Sequence, residues 1–513
     1  MKLNNLYNFK NPVKHFIDID SLIFLDAPSS LELQDLGWVA PINFRVKKQD
    51  DKPRTLKMPN ILNFVCSYEH FKDLSNFDDI KNIDFNHKRL SANIDTGDFS
   101  SGEYDYQLES DFERLSIYDN LIRVDIKEYY GRIYIHKIKF QGHTENYLSN
   151  LNNGETNGLL MGNYLSLYFA ETVLEELSIV LEREINESGI SCEFSYFSDD
   201  FYFFCNEQDN ENIIRIFDRV LEKFDFERNE NKKEIWTYES FNNYNLVARY
   251  WKKLIAHCNI RFKSDRADNK LYFINQIVYR MSKLSDDKMK KVFINNFFKT
   301  RYFKELDLEK YQVKNYDYHQ LCFIMKFSPE SMLYVVNKFR KMSKFDTGRL
   351  HTFYMVRYKE SLKQLFHEEQ LYFYYAISLF GFSDIIKEMK KEVLESENQI
   401  LISYYLMAGY FTAEEKIALK EMTDEKYWFQ NYHLILCSPD LLADLEGSIG
   451  KFLMPLNARK DRQKKSYMNF YKENIERKKP IIRNLEGVTR EIQEYLDLRI
   501  EESEEVFEEN TYE

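Results

Sequence analysis

Between Glu193 and Asn206 the chain reads EFSYFSDDFYFFCN, an apolar and aromatic run broken at its centre by two adjacent carboxylates, Asp199 and Asp200. Strand-forming residues on both sides of so short a polar break predict a tight β-hairpin whose tip presents the pair at a sheet edge. Two carboxylates side by side repel and resist burial unless a cation or hydrogen-bond donors stabilise them. A divalent metal ion is the simplest neutraliser. Ser and Asp are also common in surface turns, and on this segment alone an ordinary turn is the better reading.

The 513 residues suffice for about two to four domains with substantial cores. Only 15 Gly and 9 Pro accompany abundant Lys, Glu, Leu and Ile, so most of the chain is expected to be helical. The 37 Tyr and 41 Phe suit cores and subunit interfaces first and stacking on nucleotides second. A net charge of −12 argues against gripping a long duplex, so any nucleic acid held is short, single-stranded or bound locally. The cysteines at 66, 192, 205, 258, 322 and 437 form no CxxC or Cys/His cluster, which suits reduced cytoplasmic thiols rather than structural zinc or disulfides. With no signal-peptide core and no apolar run of membrane-spanning length, a soluble cytoplasmic protein without membrane contact is expected.

Up to residue 247 the pattern is mixed α/β. Leu121 to Ile126 (LIRVDI) alternates as a strand and runs into a helix-like stretch from Lys127 to Ile138. Asn163 to Ile185 and Asn210 to Phe224 have helical apolar spacing, and Glu234 to Tyr238 returns to strand character. This order predicts a small antiparallel sheet with helices on one face. From 248 to 513 one amphipathic helix follows another, including Leu271 to Leu284, Ser331 to Met342, Glu369 to Phe380 and Gln399 to Tyr410, which suggests a solenoid of degenerate helical pairs. The basic stretch 459–479 reads as a solvated helix face, and the acidic tail EESEEVFEENTYE as disordered.

A metal site needs more than the hairpin. Asp125 lies 74 residues before Asp199, at the end of a strand able to pair beside the hairpin, so the three carboxylates could share two Mg²⁺ (or Mn²⁺) ions. One ion would activate an attacking hydroxyl and the other neutralise a triphosphate and its pyrophosphate leaving group, which is nucleotidyl transfer.

In order and spacing these pieces resemble the palm of a reverse transcriptase. DIKEYYGRIYIHKI (Asp125 to Ile138) is similar to the family's first metal-binding motif, which implies Asp125 and the backbone carbonyl of Ile126 as ligands and Tyr130 as the aromatic gate that selects dNTPs. TNGLLMGNYLSLYFAE (Thr156 to Glu171) resembles the second motif through Gly158, Gly162 and Ser166, residues expected at the nucleotide; glycines admit close backbone approach. Leu160 and Met161 replace its usual Pro and Gln, a departure that weakens ordinary template reading. Phe197 to Asp200 matches the third motif. NENKK (Asn229 to Lys233) resembles the fourth, which implies Lys232 as the acid protonating pyrophosphate, with a surface turn as the alternative. PRTLKMPN (Pro53 to Asn60) resembles the fingers segment, so Arg54 and Lys57 are expected on the triphosphate.

The chain is most similar to the abortive-infection (Abi) reverse-transcriptase-like polymerases of bacteria and prophages, over nearly its whole length. That resemblance implies an α+β architecture: reverse-transcriptase-like fingers and palm over residues 1–247, then an all-α, HEAT-like helical-repeat domain over 248–513, with no evident thumb. It implies metal-dependent, template-independent DNA synthesis from dNTPs, primed by a tyrosine, giving self-attached or short single-stranded DNA. It also implies a homo-oligomer acting in antiphage defence. Tyr7, the only tyrosine before the fingers segment, is a priming candidate, with simple packing as the better reading of its surroundings. The alternatives are a templated polymerase of the retron or group II intron type, and a non-catalytic scaffold built on a polymerase-like palm.

Overall fold

The computed structural model describes residues 2–47, 52–74, 87–263, 271–422, 424–439 and 444–509. Among these the chain is mostly helical, with three small antiparallel sheets in an α+β arrangement. Strands β1 (Ile42–Lys47) and β2 (Pro53–Met58) form one sheet, and β3 (Ala92–Asn93) and β4 (Asp98–Phe99) a second. The third has four strands in the order β6 (Cys192–Phe197), β7 (Asp200–Cys205), β5 (Asn120–Asp125), β8 (Glu234–Trp236).

The carboxylate hairpin is β6–β7. Phe197 pairs with Asp200, which leaves Ser198 and Asp199 as a two-residue loop. Only Ser198 of the two has positive φ, 53°, as the first central residue of a type II′ turn does. Strand β5 pairs along the other edge of β7 and sets Asp125 opposite Asp200.

Alternation then sorts the side chains of this sheet onto two faces. Ile122 and Val124 of β5 share one face with Phe201 and Phe203 of β7, and all four are fully buried. That face packs on the helices Tyr164–Ser188 and Asn210–Lys223; Phe217 of the latter lies 4.9 Å from Phe201 and 5.4 Å from Phe203, centroid to centroid. Asn163 starts the longer helix by accepting a 2.9 Å hydrogen bond from the Ser166 amide, and Gly189 ends it in the left-handed region. Leu121 and Phe204 begin the other face, under Phe112 and Phe241, and Arg123, Tyr202, Asp125 and Asp200 continue it.

Three expectations need correction. Lys127 to Ile138 is not one helix: it is broken into an α-turn, Tyr129–Arg132, and a single 3-10 turn, Ile135–Lys137, with Tyr134 between them bridging to Asn157. The backbone there is drawn off by the glycine loop, with the Gly158 amide donating to Ile133 and the Ile135 amide to Thr156. The change of character at 248 falls inside a continuous helix, Tyr238–Lys263. The acidic tail is helical as far as Glu509, the end of Leu485–Glu509; residues 510–513 lie outside the described residues.

The N-terminal segment also belongs structurally with the C-terminal helices. Ile17 bridges to Ile482, and the Arg483 amide donates to Phe16 at 2.9 Å. The Tyr467 hydroxyl donates to Gly37 at 3.0 Å, and the Trp428 indole to Ala40 at 3.3 Å. Strand β1 lies on the helix His367–Phe380, its Lys47 amide donating to Glu368 at 2.9 Å. One cluster of buried apolar side chains accordingly runs through both halves. The basic stretch is the helix Asp461–Glu476, with Tyr467, Phe470 and Tyr471 buried and Lys472 outward on Glu446. No helix among the described residues is long and apolar enough to cross a membrane.

Candidate active site

Pairing of β5 with β7 brings Asp125 and Asp200 side by side, and the Ile126 amide donates to the Asp199 carbonyl at 3.0 Å. All three carboxylates therefore gather at one corner of the sheet, each with a different environment. Asp125 is 4% exposed. Its carboxylate accepts from the Lys232 ammonium and, at 2.9 Å, from the Asn229 side-chain amide. The Asn229 backbone amide also donates to the Asp125 carbonyl at 2.7 Å, which fastens the turn carrying Lys232 to the end of β5. Asn229 was not singled out in sequence, although it opens the NENKK motif; only this double contact marks it.

Asp200 is held by Arg123, two residues before Asp125 and diagonal to Asp200 across the pair. Arg123 donates to both oxygens, from Nη2 at 2.8 Å and Nε at 3.3 Å. Among the described residues no cation forms an ion pair with Asp199, and Lys232 acts on it only through space. Burial first, then the charges of Asp125 and Asp200, push its carboxyl up to about 6. A corner that resists ionising its third carboxylate calls for positive charge, and hard carboxylate and carbonyl oxygens suit Mg²⁺. Asp125, Asp199, Asp200 and the Ile126 carbonyl are the oxygens at hand; to hold a metal ion Asp125 would have to release Lys232 and Asn229, and Asp200 the Arg123 fork, since both oxygens of each are already hydrogen-bonded. Among the described residues no group of three or more His, Cys, Asp or Glu is arranged to hold a metal ion.

Tyr130 is half-buried and its hydroxyl lies beside the Ser198 side chain at the hairpin tip. Burial, then the nearby charges of Glu171 and Asp199, raise that hydroxyl above the usual tyrosine range. Gly158 packs beneath it: at φ +83° an added Cβ would lie 3.3 Å from the Gly131 backbone. Gly162, at φ +113°, faces Leu56 of β2 and so brings the glycine loop to the β1–β2 hairpin. Ser166 sits in the first turn of its helix at 1% exposure, its amide capped by Asn163. Glu171, farther along that helix, is buried in an ion pair with Lys88 at 3.0 Å.

No family model and no curated protein matches the chain. Among solved structures it is similar to telomerase from Candida albicans in complex with a TWJ fragment of telomeric RNA, at 10% identity and a TM-score of 0.29. That overlap covers 75% of this chain and 64% of the telomerase chain.

The fingers cations do not converge. Arg54 lies on the same side of β2 as Leu56, exposed and within electrostatic reach of Tyr130. Lys57 points to the other side and donates to Asn152 at 3.3 Å. Tyr7 is placed apart from the site: it is 1% exposed, packs edge-on against Phe64 at 5.0 Å, and donates its hydroxyl to the Pro59 carbonyl. A buried hydroxyl so engaged is not presented as a primer.

A cavity of about 1220 Å³ opens beside the charged face of the sheet, bounded across from it by the helices Tyr238–Lys263 and Asp287–Phe298. Phe197, Asp200 and Arg123 form its sheet wall; Lys10 and Lys288 also line it. Neither lysine carries a motif, and only the fold brings them to the hairpin.

Proposed function

We propose that this protein is a metal-dependent nucleotidyltransferase that polymerises dNTPs into DNA without a template, starting from a hydroxyl of its own. The observation that carries this reading is the juxtaposition of Asp125 with Asp199 at the end of β5, with Lys232 on the Asp125 carboxylate. A divalent cation on Asp125, Asp199 and the Ile126 carbonyl would, when bound, activate a hydroxyl and neutralise triphosphate charge. The chain's own groups do the rest. Tyr130, beside Ser198 of the hairpin, forms the floor beneath the sugar. Arg54 meets the triphosphate from the β1–β2 hairpin, while Lys57 orients the loop at Asn152. Lys232, 45% exposed, exchanges Asp125 for the leaving pyrophosphate and protonates it.

The priming residue is assigned to a tyrosine other than Tyr7. The helical-pair architecture of the second half, a homo-oligomer and a role in antiphage abortive infection rest on the resemblance to the Abi polymerases alone. Labelled dNTPs supplied with Mg²⁺ or Mn²⁺ and no added nucleic acid are expected to become covalently attached to the protein. Asp125→Asn is expected to lower labelling at least about 100-fold, several kcal/mol of lost charge stabilisation. Labelling that needs a co-purifying RNA would instead indicate a templated enzyme.

One observation favours a second reading, a non-catalytic scaffold. Protein cations already neutralise two of the three carboxylates, Asp200 through Arg123 and Asp125 through Lys232. Absence of labelling in the wild type, with the biological effect preserved in Asp125→Asn, would select it.

A further inference from the structure

Lys10 is held in a backbone conformation that costs free energy, and among the described residues no carboxylate forms an ion pair with it. Its backbone is left-handed at φ 59°, a conformation disfavoured for residues other than Gly, and is pinned there by a 2.6 Å hydrogen bond from its amide to Gly97. Its ammonium stands 5.0 Å from the Phe99 ring centroid and 5.2 Å from that of Phe197, two rings that meet edge to face at 4.9 Å. Phe197 closes the hairpin loop against Asp200. The Lys10 ammonium is therefore fixed on the flank of the turn that carries Asp199.

The charges around it are mostly of its own sign. The surrounding protein lowers its protonation most, Asp98 acts the other way, and the like charges of Lys288, Arg54 and Arg499 lower it further, although the residue as a whole is exposed to solvent. Asp98 is already committed. Arg499 lies 2.8 Å from its carboxylate and the Tyr495 hydroxyl donates to it at 2.9 Å. Burial pushes that carboxyl up, yet Arg499, Lys14, Lys10 and Lys299 together hold it at about 2. Among the described residues Lys10 has no carboxylate within ion-pair distance, and the aromatic rings give it only a partial counter-charge. Lys288, exposed to solvent, lines the same cavity.

Lys10 of the N-terminal arm and Lys288 of the helix Asp287–Phe298 both line the cavity beside the hairpin, where Asp98 and Asp200 are already paired with Arg499 and Arg123. Two such cations from separate segments suit an anion with several acceptor oxygens. The cavity exceeds the size of a typical small-molecule pocket, and its aromatic walls suit nucleobases, which excludes neither a nucleotide nor a few linked ones.

We propose that Lys10, with Lys288, binds a phosphate group at the flank of the Phe197–Asp200 hairpin, from the incoming triphosphate or from the single strand being extended. The assignment rests on the nucleotidyltransferase reading for its ligand, but its test does not need turnover. Full-length wild type, Lys10→Met and Lys10→Arg are titrated calorimetrically in EDTA with inorganic tripolyphosphate and, separately, with a short oligothymidylate. Lys10→Met is expected to weaken binding of the occupying probe about tenfold, the loss of one charge-assisted contact, and Lys10→Arg to restore most of it. Loss confined to tripolyphosphate assigns the site to the triphosphate, and loss confined to the oligonucleotide assigns it to the strand. Lys288→Met serves as the second variant if Lys10→Met does not fold, with the same loss expected. Binding of both probes unchanged in the folded variants, or no binding by the wild type, overturns the proposal. If Lys10-dependent binding persists in a protein that never incorporates labelled dNTP, the polymerase reading falls and the phosphate site stands.

Discussion

The two faces of the four-stranded sheet are made from the same strands and differ in everything that matters for chemistry. On one face Ile122, Val124, Phe201 and Phe203 are sealed beneath two helices. On the other, one residue along each strand, stand Arg123, Asp125, Asp200 and Tyr202, beside a cavity. The apolar face supplies burial free energy, about 25 cal/mol per Å² of apolar surface removed from water. The charged face spends some of it, since a carboxyl raised to about 6 marks a group the fold does not favour in its ionised form. The hairpin can be poorly neutralised at its tip because it is well packed at its back.

Three perturbations separate the faces. Phe203→Ala opens a cavity in the sealed face and is expected to cost about 3–5 kcal/mol in urea unfolding. A loss below about 1 kcal/mol would mean that this face does not anchor the hairpin. Asp199→Asn acts on the other face with opposite sign at neutral pH. The wild-type carboxyl has a folded-state pKa above its unfolded value, so its stabilising contribution is full below pH 4 and is lost as pH rises through about 6. In metal-free buffer at pH 7.5 the variant is therefore expected to be more stable by about 2 kcal/mol, with the difference vanishing near pH 4. Equal stability curves at all pH values would remove the electrostatic strain from the account. The smallest effect belongs to the Arg123–Asp200 pair, both partners about one-fifth exposed. A double-mutant cycle of Arg123→Lys with Asp200→Asn is expected to give a coupling of about 1 kcal/mol, and a coupling near zero would free Asp200 for the metal.

Whatever depended on local alternation was legible in the sequence. The hairpin was legible because aromatic strands flank a short polar break, although its loop is Ser198–Asp199 and Asp200 already belongs to β7, and the helix Tyr164–Ser188 because Leu165, Phe169, Leu177 and Leu181 recur at helical spacing. The stretch after Asp125 misled for a physical reason: its aromatic spacing fits a helix, while its backbone groups are claimed by the loop at Gly158. Arg54 and Lys57 looked like a pair because they are three residues apart, a spacing that puts them on opposite sides of a strand. The boundary at 248 followed composition, and a helix crosses it without interruption. Lys10 and Asn229 had no local signature, since what distinguishes them is the company the tertiary fold brings. The helical bulk was readable from scarce glycine and proline, and the small antiparallel sheet from the order of strand and helix patterns; the packing of the N-terminal arm on the last helices was not.

That packing has a cost in time. The Ile23 amide is satisfied by Asn474, 451 residues later, and Lys2 by Glu491, 489 residues later. At a synthesis rate of roughly 5–20 residues per second, the arm waits on the order of half a minute or more for its partners to leave the ribosome. Phe16, Ile17 and Leu22, buried in the finished protein, stay in water throughout that interval. The carboxylate hairpin, whose strands and supporting helices lie within about a hundred residues of one another, is complete long before residues 16–23 of the arm meet their partners on the last helices.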